Sequence, residues 1–336
     1  MEQQNGPIPV DPADPLLSGA PLSEQFAALL PTGERTPLRL VAGLVRTARP
    51  RQWVKNVLVV AAPLAAGELF ARRVPLRLAA TFLVFTCASA AVYLVNDAKD
   101  VHADRVHPVK RHRPVASGLV PVRLAYATGL LLAGLAVTAA LLLCNAAAAG
   151  VVVGYLAMQF AYCTSLKHML LVDLVVVAAG FLLRAMVGGL AVGLPLSRWF
   201  LITAGFGALF MVSAKRYSEL VLMRDHGGRS RNLLDAYSDT YLRFVWQLAG
   251  GVTVLSYCLW ALGTGGTADP AGQGGAGLLP WRQLSIVPFV LGVMRYAVFA
   301  DRGTAGAPED ILLKDRPVQI IAAAWLAVYG LAVWNL

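Results

Sequence analysis

Residues 76–104 have the sequence LRLAATFLVFTCASAAVYLVNDAKDVHAD, in which an apolar run is followed at once by closely spaced carboxylates. A helix needs about 20 apolar residues to cross the hydrocarbon core of a bilayer, because lipid offers the backbone no hydrogen-bond partners. The run at 76–97 meets that requirement. The stretch therefore predicts a membrane-spanning helix that ends in Asp97, Asp100 and Asp104.

The rest of the 336-residue chain has the same apolar character. Of its residues 57% are hydrophobic and 14% are charged, whereas soluble domains are about 25% charged. Apolar runs of spanning length are found at 54–71, 76–97, 122–143, 146–164, 170–192, 199–216, 243–263, 281–299 and 317–335. We therefore predict an all-α membrane protein with nine transmembrane helices that contacts the lipid bilayer along its length.

Arginine and lysine set the expected orientation. If the N-terminus is cytoplasmic, the segments on that side hold 23 of the 29 basic residues, as the positive-inside rule requires. Nine spans then leave the C-terminus outside. Residues 1–45 are predicted to be a disordered cytoplasmic tail, and 46–336 a catalytic domain in the plasma (inner) membrane with its active site facing the cytoplasm.

The net charge of +10 does not by itself indicate nucleic-acid binding. The basic residues lie in short clusters between apolar runs, which is typical of membrane anchoring, so no nucleic-acid partner is expected.

Three aspartates form the strongest chemical signal. At 100° per residue, Asp97, Asp100 and Asp104 fall within an arc of about 60° on one helical face. Stacked carboxylates repel one another unless a cation joins them, and hard oxygen ligands suit Mg²⁺, which also bridges to substrate phosphates. The alternative is a solvated acidic helix end, but carboxylates at a membrane boundary are costly and usually functional.

A cationic loop follows the aspartates directly. It contains Lys110, Arg111 and Arg113, and membrane topology alone could account for it. Beside a metal-binding face, however, such a loop indicates a substrate with several phosphates, because arginine binds phosphate in a bidentate manner and lysine acts as a point charge.

Further polar residues lie at the same predicted membrane depth on several spans. They are Gln52, Lys55, Asn56, Asn96, Tyr162, Lys167, Asp173, Lys215, Arg216 and Tyr217. We predict that they surround one site. Arg184 lies about 20 Å into the fifth helix and must face the bundle interior and find a partner, either a substrate phosphate or a structural group.

The pattern Asn96-Asp97-x-x-Asp100-x-x-x-Asp104 resembles the first aspartate-rich motif of the UbiA superfamily of intramembrane prenyltransferases, whose fold is a nine-helix bundle. Other stretches are similar to the decaprenyl-phosphate phosphoribosyltransferases within that superfamily. These stretches are Arg49–Asn56, Lys110–Pro114, Gly180–Ala185, Lys215–Tyr217, Arg295-Tyr296 and Pro308–Asp310.

The resemblance implies transfer of 5-phosphoribose from phosphoribosyl diphosphate to decaprenyl phosphate, a polyprenyl phosphate, with release of diphosphate, as a step towards cell-wall arabinan. Asp97, Asp100 and Asp104 would hold the Mg²⁺ bound to the diphosphate. Asp173 is a candidate for stabilising positive charge at the anomeric carbon. The other polar and basic residues named above, Arg184 included, would bind substrate.

The chain departs from the superfamily pattern in the loop after the sixth helix. Asp235 and Asp239 have suitable spacing for a second metal motif there, but the loop is rich in arginine and is interpreted as a phosphate-binding loop. An aromatic prenyltransferase that uses a polyprenyl diphosphate stays an alternative. A transporter is less favoured because the charges gather at one membrane face. Assembly into a homo-oligomer is left open.

Overall fold

The computed structural model describes residues 36–226, 237–263 and 279–334, and all regular secondary structure in these ranges is helical. Short 3₁₀ turns at Lys110–His112 and Leu166–His168 lie in two of the loops. In chain order the longer elements are α1 (Pro37–Thr47), a 3₁₀ helix (Pro50–Val60), α2 (Ala61–Ala65), α3 (Val74–Lys99), α4 (Val101–Val106), α5 (Val122–Leu143), α6 (Ala146–Thr164), α7 (Val172–Ala191), α8 (Arg198–His226), α9 (Asp239–Ala261), α10 (Trp281–Leu284), α11 (Ile286–Asp301), α12 (Pro308–Lys314) and α13 (Arg316–Trp334).

Seven helical stretches in the described ranges are long and apolar enough to cross a membrane. They are α3, α5, α6, α7, α9, α10 with α11, and α13. The predicted runs at 122–143 and 146–164 coincide with α5 and α6. The 29-residue α8 covers the predicted run at 199–216, but Arg198 and Lys215 bound its apolar part. The count of nine spans stays a prediction.

The first apolar run differs most from the sequence-based expectation. Instead of one long helix at 54–71, it forms the 3₁₀ helix and the short α2. A Cβ at Gly188 of α7 would overlap the carbonyl oxygen of Val59, and one at Gly189 would lie 2.9 Å from the Cβ of Ala62. Only glycine allows this backbone-to-backbone approach. The contact holds the 3₁₀ helix against α7 and places Asn56 inside the bundle.

Helix α7 lies between the two main apolar cores. One core joins the 3₁₀ helix, α3, α5 and α6 to the C-terminal half of α7. The other joins the N-terminal half of α7 to α8, α9 and α11, with contributions from α12 and α13. Polar side chains on α7 therefore face neighbours from both halves of the bundle.

Helix α1 begins inside the segment assigned to the N-terminal tail. It packs against α3, and Gly43 faces the side chain of Val120, with which a Cβ there would come within 2.7 Å. Residues 37–45 of the tail that was predicted to be disordered are therefore helical, and residues 1–35 lie outside the described ranges. Helix α1 is thus ordered, and it ends at Thr47, just before the polar residues of the candidate site.

Candidate active site

Asp97, at the C-terminal end of α3, and Asp104, in α4, share one cationic partner, Arg113. Asp97 has only 2% of its side chain exposed and accepts from Arg49 Nη2 at 2.5 Å. Arg113 Nη1 lies 3.3 Å from Asp97 Oδ1 and 2.7 Å from Asp104 Oδ2. We call Arg49, Asp97, Asp104 and Arg113 the aspartate cluster. Its charges balance, which explains how two nearly buried carboxylates are tolerated side by side.

Arg49 was not among the residues predicted for the site, although it lies in a stretch that carries the resemblance. It is the turn residue between α1 and the 3₁₀ helix and has a left-handed backbone, with φ of 55°. Its guanidinium also lies over the ring of Tyr93, 4.9 Å from the centroid. Nothing local in the sequence indicates that Arg49 contacts a residue 48 positions away.

Asp100 points to a different partner from the other two aspartates. Its carboxylate forms an ion pair with Lys167, from the loop after α6. Within the described ranges, no three Asp, Glu, His or Cys side chains converge closely enough to hold a metal ion by themselves. One arginine nitrogen does reach both Asp97 and Asp104, so these two aspartates face a common point. The three-aspartate metal site stays a prediction.

Asp173 organises a second group of charges at the start of α7. Tyr162 donates to its Oδ1 at 2.5 Å, and Arg216 Nε donates to its Oδ2 at 3.0 Å. Arg216 also donates to Glu219 at 2.9 Å. We call these four residues the Asp173 cluster. Asp173 and Arg216, both predicted for the site, are in direct contact, while Glu219, one turn of α8 beyond Arg216, is not among the predicted residues.

The backbone just before Asp173 is strained. Leu171 has φ of 66° and ψ of −47°, and the N–H of Val172 donates to the carbonyl of Leu170 at 2.7 Å, which closes a tight three-residue turn. The hydroxyl of Tyr237 accepts from the N–H of Leu171 at 3.0 Å. This turn begins α7 immediately before Asp173 and so fixes where its carboxylate meets Arg216.

Arg184 lies apart from both clusters, deeper in the bundle. It donates from Nε to Asn56 at 2.9 Å, from Nη1 to the carbonyl of Gly180 at 2.7 Å and from Nη2 to the hydroxyl of Tyr155 at 3.0 Å. The amide of Asn56 in turn donates to Thr86 at 3.1 Å. Asn56 and Arg184 were both predicted for the site, but their contact with each other and with Tyr155 was not.

The remaining predicted residues are not members of the two clusters. Gln52, Asn96 and Lys110 are half-buried, and Arg111 is exposed. Lys55 lies 5.8 Å from the ring centroid of Phe181, and Tyr217 accepts from Arg243 at 2.6 Å. Lys215 lies 3.9 Å from Glu219.

The possible second metal motif can be described only in part. Asp239 begins α9 and pairs with Arg224 at 3.3 Å. Asp235 lies outside the described residues. The phosphate-binding interpretation of this loop therefore stays a prediction.

Comparison with known proteins places this arrangement in a family. Residues 57–287, more than half of the chain, match the UbiA prenyltransferase family. The chain belongs to that family. It is 45% identical to a decaprenyl-phosphate phosphoribosyltransferase of Corynebacterium glutamicum, over 89% of each chain. A Mycobacterium tuberculosis protein of the same name is 48% identical, over 88% of this chain and 96% of that one.

Solved structures of UbiA proteins share the fold. A UbiA homologue from Archaeoglobus fulgidus bound to DMAPP and Mg²⁺ superposes with a TM-score of 0.64 over 87% of this chain and 99% of that chain, at 17% identity. A digeranylgeranylglyceryl phosphate synthase superposes with a TM-score of 0.60 at 13% identity. These comparisons confirm the resemblance drawn from the motifs: the UbiA protein is an all-helical, multi-pass membrane transferase.

Proposed function

We propose that this UbiA protein transfers 5-phosphoribose from phosphoribosyl diphosphate to decaprenyl phosphate and releases diphosphate. The observation that carries the proposal is the 45–48% identity, over about nine tenths of the chain, to proteins named for that activity. On this proposal the product feeds cell-wall arabinan synthesis. An aromatic prenyltransferase activity is the alternative.

The charges at the proposed site suit three phosphate-bearing groups. A diphosphate, a 5-phosphate and the acceptor phosphate must come close together, and their mutual repulsion is the main obstacle. Cations from four separate segments meet the carboxylates here: Arg49, Arg113, Lys167 and Arg216. Arginine and lysine placed in this way can stabilise phosphate charge as it develops on the leaving group.

The aspartate cluster has the right donors for a hard divalent cation. Asp97 and Asp104 offer carboxylate oxygens to one point, with Asp100 beside them, and Mg²⁺ is commonly bound through one or two carboxylates together with substrate phosphates. Mg²⁺ bound there would neutralise the diphosphate. Arg49 and Arg113, which contact the same carboxylates, lie where they can turn to phosphate oxygens.

The acceptor supplies its own nucleophile. A phosphate monoester has a second pKa of about 6 and is largely dianionic near neutral pH, so no strong general base is required. An acceptor oxygen forms the bond to the anomeric carbon, and the bond from that carbon to the diphosphate oxygen breaks, with the electron pair leaving on diphosphate. Asp173 is proposed to stabilise positive charge at that carbon, while Tyr162 and Arg216 hold its carboxylate in place.

We further propose that the chain crosses the plasma membrane nine times, with the N-terminus and the aspartate cluster at the cytoplasmic side and the C-terminus outside. The distribution of basic residues supports this orientation. It places residues 1–45, the last of which lie in α1, on the cytoplasmic side and assigns 46–336 to the catalytic domain.

Cysteine labelling tests this orientation. Val109 in the cationic loop and Phe70 before α3 are both 73% exposed and are predicted to lie on opposite sides of the membrane. Each is replaced by cysteine in a background without Cys87, Cys144, Cys163 and Cys258, which are all free thiols. An impermeant maleimide added to intact cells should label Phe70→Cys and spare Val109→Cys until the membrane is opened. The reverse pattern would contradict the proposed orientation.

Activity is tested with purified protein in detergent. Protein, Mg²⁺, decaprenyl phosphate and ribose-labelled phosphoribosyl diphosphate are combined, and label in the lipid phase is measured. Accumulation of labelled lipid that depends on both substrates is the expected result. Prenyl transfer to an aromatic acid without any ribosyl transfer would favour the alternative enzyme.

A further inference from the structure

Arg184 is a buried cation whose direct partners are all neutral. Arg184 is 7% exposed and lies in the second half of α7, a helix of membrane-spanning length. Its three hydrogen bonds go to an amide oxygen, a backbone carbonyl and a phenol. Its guanidinium also lies within 5.3 Å of the ring centroids of Phe85 and Tyr155. Aromatic faces stabilise a cation but do not neutralise it.

No carboxylate balances this charge. Among the ion pairs of residues 36–226, 237–263 and 279–334, none includes Arg184, whereas Arg49, Arg113 and Arg216 each pair with an aspartate. A charge removed from water without a counter-ion is costly, and in membrane proteins such residues mark substrate or ion sites. Guanidinium has five N–H donors, and three are used here, so donors remain for an anion.

The surroundings indicate what kind of anion reaches this depth. Lys55 approaches the same ring, Phe181, that Arg184 approaches, both at 5.8 Å from its centroid, so a second cation lies nearby. An open apolar depression of about 350 Å³ lies beside Val57, the residue after Asn56, and reaches Phe70, Leu78 and Phe82. A soluble anion has no favourable path along such a surface. An anion attached to an isoprenoid chain does, because the chain can lie in the apolar depression.

We propose that Arg184 binds the phosphate of the lipid acceptor, with the first isoprene units beside Val57. This inference rests on the proposed function and adds to it by assigning the acceptor to a site separate from the aspartate cluster. Asn56 and Tyr155 are positioning residues, since their bonds hold the guanidinium in its orientation. The site selects for a phosphate carried by a lipid, rather than for phosphate alone.

Three variants separate this role from a structural one. Arg184→Gln removes the charge. Arg184→Lys keeps the charge but cannot make all three hydrogen bonds. Arg282→Gln is the matched control, since Arg282 is also part-buried against an aromatic ring, 4.5 Å from the centroid of Trp260, near the opposite end of the bundle. For each variant we would measure KM for decaprenyl phosphate, KM for phosphoribosyl diphosphate, kcat and thermal stability in detergent.

The expected result is a split between the two substrates. Arg184→Gln should raise KM for decaprenyl phosphate about 10-fold or more, with KM for the ribosyl donor nearly unchanged, because a charge-assisted hydrogen bond to the lipid phosphate is lost. Arg184→Lys should raise it less. Arg282→Gln should leave both KM values unchanged. Equal effects of Gln and Lys on both substrates, together with lower thermal stability, would show a structural role and overturn the inference.

Direct binding makes the test independent of turnover. Purified protein without donor is titrated with decaprenyl phosphate, with decaprenol and with inorganic phosphate. Only the lipid phosphate should bind in a manner that depends on Arg184, and the Lys variant supplies this comparison if the Gln variant does not fold. Equal binding of decaprenol, or Arg184-dependent binding of inorganic phosphate alone, would overturn the assignment.

A wild type that binds the lipid phosphate through Arg184 but transfers no ribose would refute the proposed function and leave this inference standing.

Discussion

Replacing Asp97 by asparagine is expected to lower kcat by about 100-fold or more, the usual cost of removing one element of electrostatic transition-state stabilisation. Asp97 is the carboxylate that two arginines contact at once, and its side chain is 2% exposed. Asparagine keeps the shape but cannot hold a divalent cation with comparable strength or orient Arg49 and Arg113. The measurement is single-turnover transfer of labelled ribose to decaprenyl phosphate.

The matched control is Asp301→Asn, an exposed aspartate at the end of α11, which should retain wild-type activity. Thermal stability in detergent shows whether the Asp97 variant is folded. Wild-type protein in excess EDTA should lose activity to a similar extent, and added Mg²⁺ should restore it. Full activity of a folded Asp97→Asn variant, or of the wild type in EDTA, would contradict the proposed metal site.

A donor analogue without the 5-phosphate should react poorly and should identify the residue that binds that phosphate. Lys110 and Arg111 are the best candidates, because Arg113 contacts the two aspartates proposed to bind the metal and its loss would affect any donor. Replacing the binding residue by glutamine should penalise the true donor by about 10- to 150-fold, the worth of one charge-assisted hydrogen bond, and the analogue much less. The Arg113 variant should slow both donors alike.

The control for these variants is Arg302→Gln, an exposed arginine in the loop after α11. It removes a charge of the same sign without touching the proposed site and should leave both donors unaffected. If Lys110, Arg111 and Arg113 variants all slow both donors equally, these cations serve membrane topology or the diphosphate, and the 5-phosphate is bound elsewhere.

Much of the helical architecture could be predicted from the sequence because lipid imposes a length and composition on each span. The apolar runs at 122–143 and 146–164 reproduce α5 and α6, and the run at 76–97 lies within α3. The first run could not be predicted in detail. Its 3₁₀ form is accompanied by close backbone packing at Gly188, about 130 residues away in the chain, and no local pattern reveals such a contact.

The candidate site was predictable in its residue types but not in its pairings. The spacing of the aspartates placed three carboxylates on one helical face, yet Asp100 turns to Lys167 while Asp97 and Asp104 share Arg113. Arg49, in the turn after α1, contacts Asp97 only because the bundle packs this turn against the end of α3. Likewise, the sequence showed that Arg184 must find a partner inside the bundle, but only the packing of the 3₁₀ helix on α7 identifies Asn56.

The transferred group is proposed to be phosphoribose, and its acceptor is proposed to be a lipid phosphate. Mass spectrometry of the lipid product tests it most directly, after purified protein is given Mg²⁺, decaprenyl phosphate, phosphoribosyl diphosphate, a polyprenyl diphosphate and an aromatic acid together. We expect decaprenyl phosphate increased by the mass of one phosphoribosyl group, with stoichiometric diphosphate and no prenylated aromatic product. A prenylated aromatic acid in place of the ribosylated lipid would contradict it.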